Sequence, residues 1–416
     1  MTAFKWFEAR QREDLARWMV VLSAFAVPLP TAWVSLATAG FLASWLCAAH
    51  FQQRFRSVWD HPIARWSLLL WAWMAVAILW SPAPTRDAAG NLWQFRELLL
   101  LPLMASVILC DAETARRWQP RILMAFVLGF VIALITSYLR WCEVLPDMGF
   151  RGLYAGFGGR TGFSLMLAFV SFLAIEKIRG RSRHQAAWCL LLVACLANLF
   201  LINVGRTGQL GFLLLLPLLA WRWVRWRGLV GGALAIPVLC LTLYTFVPTI
   251  QDRVHQSLMQ IDEFRSGKPE IGDALRLQSW EQAVRFIPGS PIFGGGTGSH
   301  SLRVQQAAEH NAALRQLAPG NPHNEYLLLL SQHGVVGLAL LCLLWGTQWR
   351  EALRQKASGD SFAATSTLAL LILMASGDLA NSFLLDNLEG HFYLLMTLCF
   401  AAGATSPAAK PSRTVG

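Results

Sequence analysis

Charge is scarce in this chain. Asp, Glu, Lys and Arg make up 14% of its 416 residues, against 55% hydrophobic residues and a mean hydropathy of +0.44. A soluble domain carries roughly 25% charged residues, so the deficit excludes the two or three soluble domains that this length would otherwise suggest. The eight cysteines include no CxxC pair and no Cys/His metal spacing, and only Cys142 lies clearly outside an apolar run; neither a zinc site nor a disulfide framework is indicated. The chain also lacks a P-loop, a Gly-x-Ser-x-Gly elbow and an Asp-x-Asp pair that could hold a divalent cation on a diphosphate. The opening MTAFKWFEARQRED mixes acids with bases and has no signal-peptide core, so the first apolar run is expected to stay in the membrane. A net charge of +11 does not point to nucleic acid, because the basic residues form short clusters between apolar runs and no continuous face.

Apolar runs are abundant. A bilayer-spanning helix needs about 20 mostly apolar residues, within roughly 17–25. On that measure spans fall near 18–30, 32–50, 64–80, 97–110, 121–140, 161–177, 186–204, 207–221, 228–247, 325–348, 362–380 and 390–406, with Pro28-Leu29-Pro30-Thr31 turning the chain between the first two. The expected fold is an all-α integral membrane protein of about twelve transmembrane helices, ten to twelve by this ruler. Residues 1–416 form one polytopic membrane domain, with residues 248–324 as a large loop between spans nine and ten. The 19 Trp suit membrane–water interfaces.

Lys and Arg mark the side retained in the cytoplasm. Clusters such as Arg116/Arg117/Arg121, Arg179/Arg181/Arg183, Arg222/Arg225/Arg227, Arg350/Arg354/Lys356 and Lys410/Arg413 alternate with poorly basic loops. This places both termini in the cytoplasm and the long loop outside. On that loop, 249–265 and 273–287 carry apolar residues at helical spacing and are expected to form two amphipathic helices, followed by an irregular Gly- and Pro-rich connection at 288–299. The spans hold essentially no ionisable residues away from their ends, which argues against an ion-coupled transporter, where such residues mark the path. The chemistry is therefore expected at the outer interface.

Three arginines stand there in Gly-rich or polar contexts. Arg160 lies in Gly158-Gly159-Arg160-Thr161-Gly162, Arg206 in Asn203-Val204-Gly205-Arg206-Thr207-Gly208, and Arg276 on the second loop helix. The guanidinium fork suits bidentate phosphate binding. A single interfacial arginine can equally extend toward lipid headgroups; three on one face point to a bound anion. The other local feature is Gly320-Asn321-Pro322-His323-Asn324-Glu325-Tyr326-Leu327 at the start of span 325–348. Helix capping explains the Pro and Asn but not His323. That residue is a candidate general base or hydrogen-bond donor near neutral pH, or else an ordinary interfacial histidine. Asn324 and Tyr326 are candidate supporting residues. His333, farther along the helix, is expected to pack or bond to a neighbouring helix.

The run Pro291-Ile292-Phe293-Gly294-Gly295-Gly296-Thr297-Gly298, then Pro322-His323-Asn324-Glu325-Tyr326-Leu327, then Gly334-Val335-Val336-Gly337, resembles the signature of the O-antigen ligase and O-antigen polymerase superfamily. Arg206-Thr207-Gly208 resembles that family's arginine after a membrane span, and Arg276 with Trp280 its Arg-x-x-x-Trp. The resemblance is strongest over 200–340. It implies a GT-C-like glycosyltransferase of the Gram-negative inner membrane with a periplasmic active site. The implied donor is an O-antigen glycan on undecaprenyl diphosphate, and the acceptor a sugar hydroxyl of lipid A–core oligosaccharide. His323 would be catalytic, and Arg206, Arg276 and Arg160 would bind the diphosphate. No metal and no cofactor are implied. Alternatives are an O-antigen polymerase, which takes a second lipid-linked glycan as acceptor, a related protein O-oligosaccharyltransferase, and, in a different class, a transporter of polyprenyl-linked glycan.

Overall fold

The computed structural model describes residues 2–47, 51–146, 154–203, 205–266, 272–311, 314–315, 317 and 320–403. The last residues of the runs expected at 32–50, 186–204 and 390–406, and the basic pair Lys410/Arg413, lie outside them. Among the described residues the chain is helical, without strands: α1 Thr2–Ala26, α2 Thr31–Cys47, α3 Phe51–Asp60, α4 Pro62–Val76, α5 Thr85–Gln94, α6 Arg96–Ile108, α7 Ala112–Trp141, α8 Arg160–Arg179, α9 Gln185–Ala197, α10 Arg206–Phe246, α11 Pro248–Arg265, α12 Gly272–Phe286, α13 Ser299–His310, α14 Glu325–Ala357, α15 Ser361–Gly377 and α16 Asn387–Phe400. A 3₁₀ turn, Ala77–Trp80, extends α4, and a π turn, Asn198–Ile202, extends α9. The α1–α2 turn falls at residues 27–30, closed by Leu29 N–H donating to Ala26 C=O at 2.9 Å.

Among the described residues, six helical stretches are long and apolar enough to cross a membrane: Pro62–Trp80, Ala112–Trp141, Arg160–Arg179, Gln185–Ile202, Val224–Phe246 and Glu325–Ala357. The other apolar runs lie on shorter helices, such as Thr31–Cys47 and Ser361–Gly377, or on α1, whose first half is polar. The chain is an all-α membrane protein on this showing. Its core holds a column of phenylalanines: Phe126 stacks on Phe130 and Phe130 on Phe163, and Phe169 meets Phe392 edge-on with centroids 5.3 Å apart. α8 runs through this core and is buried on all sides from Gly162 to Ala174.

Two breaks shape the bundle. α10 reverses at Val224–Arg225, where Arg225 takes φ +52°. Its second limb packs back on the first so closely that a Cβ on Gly228 would strike the Ala220 carbonyl, and one on Gly232 the Pro217 backbone. The runs 207–221 and 228–247 are thus separate limbs of a helical hairpin.

α14 breaks at Gly334 (φ +61°). A helix would pair Val335 and Val336 N–H with the carbonyls four residues back, at Ser331 and Gln332. Instead the Gly-rich run splices into the gap. Val335 N–H donates to Pro291 C=O (2.9 Å) and Val336 N–H to Ile292 C=O (3.2 Å), while Ser331 and Gln332 C=O accept from Gly295 and Gly296 N–H at 3.0 and 2.9 Å. All four groups freed by the break are satisfied, as buried backbone must be. The splice needs glycine, since a Cβ on Gly294 would meet the Gln332–His333 peptide and one on Gly334 the Ile292 carbonyl. Trp80 Nε1–H to Gly294 C=O (3.3 Å) and Ser81 Oγ–H to Thr297 C=O (2.7 Å) pin the run to the end of α4.

The connection at 288–299 is irregular, and the helices expected at 249–265 and 273–287 are α11 and α12. A third helix, α13, follows them. Its inward apolar residues are Val304 and small alanines, which pack with Leu314, Leu317, Leu275 and Phe286 in a satellite core, beside the buried His300. That apolar period is too weak to read from sequence.

Candidate active site

The first residues of α8 and α10 are Arg160 and Arg206. Glycine brings these two helix starts together. A Cβ on Gly205 would collide with Ser164 and the Arg160 carbonyl, and one on Gly208 with the Ser164 backbone; Gly208 N–H donates to Ser164 Oγ at 3.2 Å. Arg160 and Arg206 thus line one cavity of about 450 Å³, and Arg276 of α12 lines it too. The N-termini of these two helices add positive potential to three guanidinium groups.

One carboxylate sits among them. Arg206 grips Asp273 of α12 through two bonds, Nη1–Oδ2 at 2.5 Å and Nη2–Oδ1 at 2.8 Å, and also donates to Ser257 Oγ at 2.7 Å. Arg276 Nη1 lies 3.7 Å from Asp273 Oδ1. α11 steadies the acid: Ser257 Oγ–H donates to Oδ2 (2.9 Å), and the Asp273 N–H donates to Gln260 Oε1 (2.8 Å). Burial works to raise the Asp273 carboxyl, but the Arg206 bonds and charge, then Ser257 and Arg276, outweigh it and hold it below the usual carboxylate range. Burial pulls the Arg276 guanidinium down from its ordinary value, against the attraction of Asp273.

His323 stands beside this cluster. It adopts φ +54°, donates its N–H to Asn321 Oδ1 (2.7 Å), and accepts Trp280 Nε1–H on its carbonyl at 3.4 Å. Trp280 is one helical turn beyond Arg276, so one face of α12 both holds the His323 backbone and presents a positive charge to its ring. Burial first, then that Arg276 charge, pushes the imidazole down to about 4. The ring is therefore uncharged at neutral pH.

Asn324 caps α14, its Oδ1 accepting from Leu327 N–H (3.0 Å) and its Nδ2 donating to Leu379 C=O (2.9 Å). Leu379 and Ala380 line the arginine cavity, and Asn381 next to them donates to Thr207 Oγ1 at 3.1 Å. The start of α14 is thereby tied to the start of α10. Tyr326 does not line the cavity; its hydroxyl is bonded to the Ala375 carbonyl at 2.8 Å and its ring is edge-on to Trp345. His333 is fully buried, and neither ring nitrogen has a hydrogen-bond partner among the described residues; it packs beside the break, and its carbonyl accepts Trp73 Nε1–H from the neighbouring α4 at 3.4 Å.

A second cavity, about 620 Å³ and apolar, adjoins the first. It is lined by Phe200, Leu213, Pro237, Tyr244, Val254 and Leu258, and shares Arg206, Leu210, Leu213 and Cys240 with the arginine cavity. Charge and a greasy slot therefore meet at Arg206. Among the described residues no group of three or more His, Cys, Asp or Glu side chains could hold a metal ion.

Residues 190–342 match the O-antigen ligase family model. This supports a place for the chain in the O-antigen ligase/polymerase superfamily. The matched stretch runs from α9 to just past the break in α14, so it contains Arg206, Arg276, His323 and the glycine splice, while Arg160 lies outside it. No curated protein matches the chain. Within the matched segment the Gly-rich run and Gly334-Val335-Val336-Gly337 make one structural joint and do not line the arginine cavity. Asp273 escaped the sequence reading, because its partner Arg206 is 67 residues away. The convergence of two helix starts did leave a signal: Gly-Arg-Thr-Gly occurs twice, at 159–162 and 205–208.

Proposed function

We propose that the protein transfers O-antigen polysaccharide from undecaprenyl diphosphate to a sugar hydroxyl of lipid A–core oligosaccharide, on the periplasmic face of the inner membrane. The observation that carries this reading is the convergence of Arg160, Arg206 and Arg276 on one cavity that opens into an apolar one. The first suits a diphosphate and the second the start of a polyprenyl chain.

Breaking the anomeric bond to a diphosphate builds negative charge on the leaving group. Fixed guanidinium donors and helix N-termini stabilise that charge without reorganising, and no metal is required for it. His323, neutral and beside Arg276, accepts the proton of the attacking hydroxyl or fixes its orientation. When a diphosphate offsets the Arg276 charge, the imidazole becomes more basic, so its proton affinity rises as the donor binds. Attack from the face opposite the leaving group inverts the anomeric centre.

Deleting the gene for this protein tests the reading. Lipopolysaccharide should then be left as bare lipid A–core while lipid-linked polymer accumulates. Accumulation of single lipid-linked repeat units instead would assign the protein as the polymerase, and unchanged lipopolysaccharide would refute both.

A further inference from the structure

The Arg206 fork is already occupied, and by a group with a phosphate-like bite. Asp273 takes both Nη donors of Arg206, at 2.5 and 2.8 Å, and lies 3.7 Å from Arg276. A bidentate pair of this kind is the geometry in which Arg binds phosphate. Asp273 is not buried deep behind the arginines: it lines the same cavity wall as they do. Its place is fixed from outside the arginine set by Ser257 and by the bond from its own N–H to Gln260.

We propose that Asp273 is a resident counter-anion of the diphosphate site, which an incoming diphosphate must displace from Arg206. This rests on the reading of the arginine cavity given above. The carboxylate keeps the empty site from retaining small anions and competes for Arg206 as the spent diphosphate leaves. It is a positioning residue that sets affinity and touches no reacting atom. Removing its charge while keeping its shape should tighten anion binding, which damage to the fold cannot do.

The test uses the full-length protein in detergent and inorganic pyrophosphate as probe, with binding followed by calorimetry. Asp273→Asn should bind pyrophosphate at least tenfold more tightly than wild type, and Asp273→Glu should stay close to wild type. Unchanged or weaker binding by Asp273→Asn would overturn the inference and show that the carboxylate serves to hold Arg206 in place. Arg206→Lys separates the two readings. If it lowers pyrophosphate binding in the wild-type and Asp273→Asn backgrounds alike, the arginine cavity is the anion site whatever Asp273 does. If pyrophosphate binding ignores Arg206 in both, the cavity reading itself fails, and the counter-anion role with it.

Discussion

Arg206 and Arg276 differ from Arg160 in how they are held. The first two are fixed through Asp273 and Ser257 on the loop helices, whereas Arg160 stands at the head of α8 outside the family segment. Lysine keeps the charge but cannot grip a diphosphate with two parallel bonds. Arg206→Lys and Arg276→Lys should each lower transfer by about 10²–10³, the usual effect of losing one preorganised donor, and Arg160→Lys by less. An in vitro ligation assay on membranes with matched protein levels reads this; near-normal rates for the first two would make them lipid-facing anchors. His323 calls for a different probe. Its left-handed backbone is tolerated by Asn, so His323→Asn should fold normally yet lose about 10²–10⁴ in transfer, because an amide cannot take the proton. The pH profile carries a sign. With its pKa lowered to about 4, His323 in the free enzyme stays neutral as pH falls from 7 toward 5, and kcat/KM should hold across that range before dropping. The acid limb of kcat should lie higher, since bound diphosphate cancels the Arg276 charge. A kcat/KM limb near 6.5 would mean that neither burial nor the Arg276 charge acts on His323. Arg160, Arg206 and His323 stood out in the sequence because Gly-rich contexts and a Pro-His-Asn cap mark them, and Arg276 through its Arg-x-x-x-Trp spacing to Trp280. Asp273 did not, since an acid in the first turn of a helix has an ordinary helix-dipole explanation.

At the scale of elements, positions were legible, as were the α1–α2 turn and the reversal of α10 between its two apolar runs, but the break in α14 was not. Apolar runs of about 20 residues read directly as helices, because in a bilayer the backbone must satisfy its own hydrogen bonds. The amphipathic α3, the short α5 and the polar α13 lack such runs and left little trace. Gly334 stood out only as part of Gly334-Val335-Val336-Gly337 and not as a break in the span, yet its φ of +61° and its contact with Ile292 make the joint that the Gly-rich run completes. Two substitutions in the same helix should therefore act in opposite directions. Gly334→Ala forces a Cβ into the left-handed region, at about 1–2 kcal/mol, and into the Ile292 carbonyl besides, so thermal unfolding in detergent should come clearly earlier. Gly346, also in α14, has open space where a Cβ would go, and Gly346→Ala should stabilise by about 0.5–1 kcal/mol through lost backbone freedom in the unfolded chain. Equal melting temperatures for the two variants would mean that the splice is not a structural joint.

Across the whole molecule, the groups assigned to chemistry gather at one end of the bundle. The starts of α10 and α14, the residues after α15, α11 and α12 meet there through the contacts of Arg206, Trp280, Asn324 and Asn381, and the start of α8 joins them through Ser164. The lipid-linked donor of the proposed reaction carries its diphosphate at the membrane surface, so this end must face the compartment in which the glycan is displayed. The basic loops argue for the same orientation independently, since Arg350, Arg354 and Lys356 lie at or near the far end of α14 and Lys and Arg are retained in the cytoplasm. Reporters joined after Gly289 and after Gly359 decide the matter. Between these positions α14 is the single helix among the described residues that is long and apolar enough to cross the membrane. α13 is polar and packs in its own small core. A phosphatase that is active only in the periplasm should therefore report at Gly289 and be silent at Gly359, with a cytoplasmic reporter giving the reverse. Both reporters on one side would mean that α14 turns back at its break and does not cross. A reversed pair would put the arginine cavity in the cytoplasm, where a glycan already moved across the membrane could not reach it.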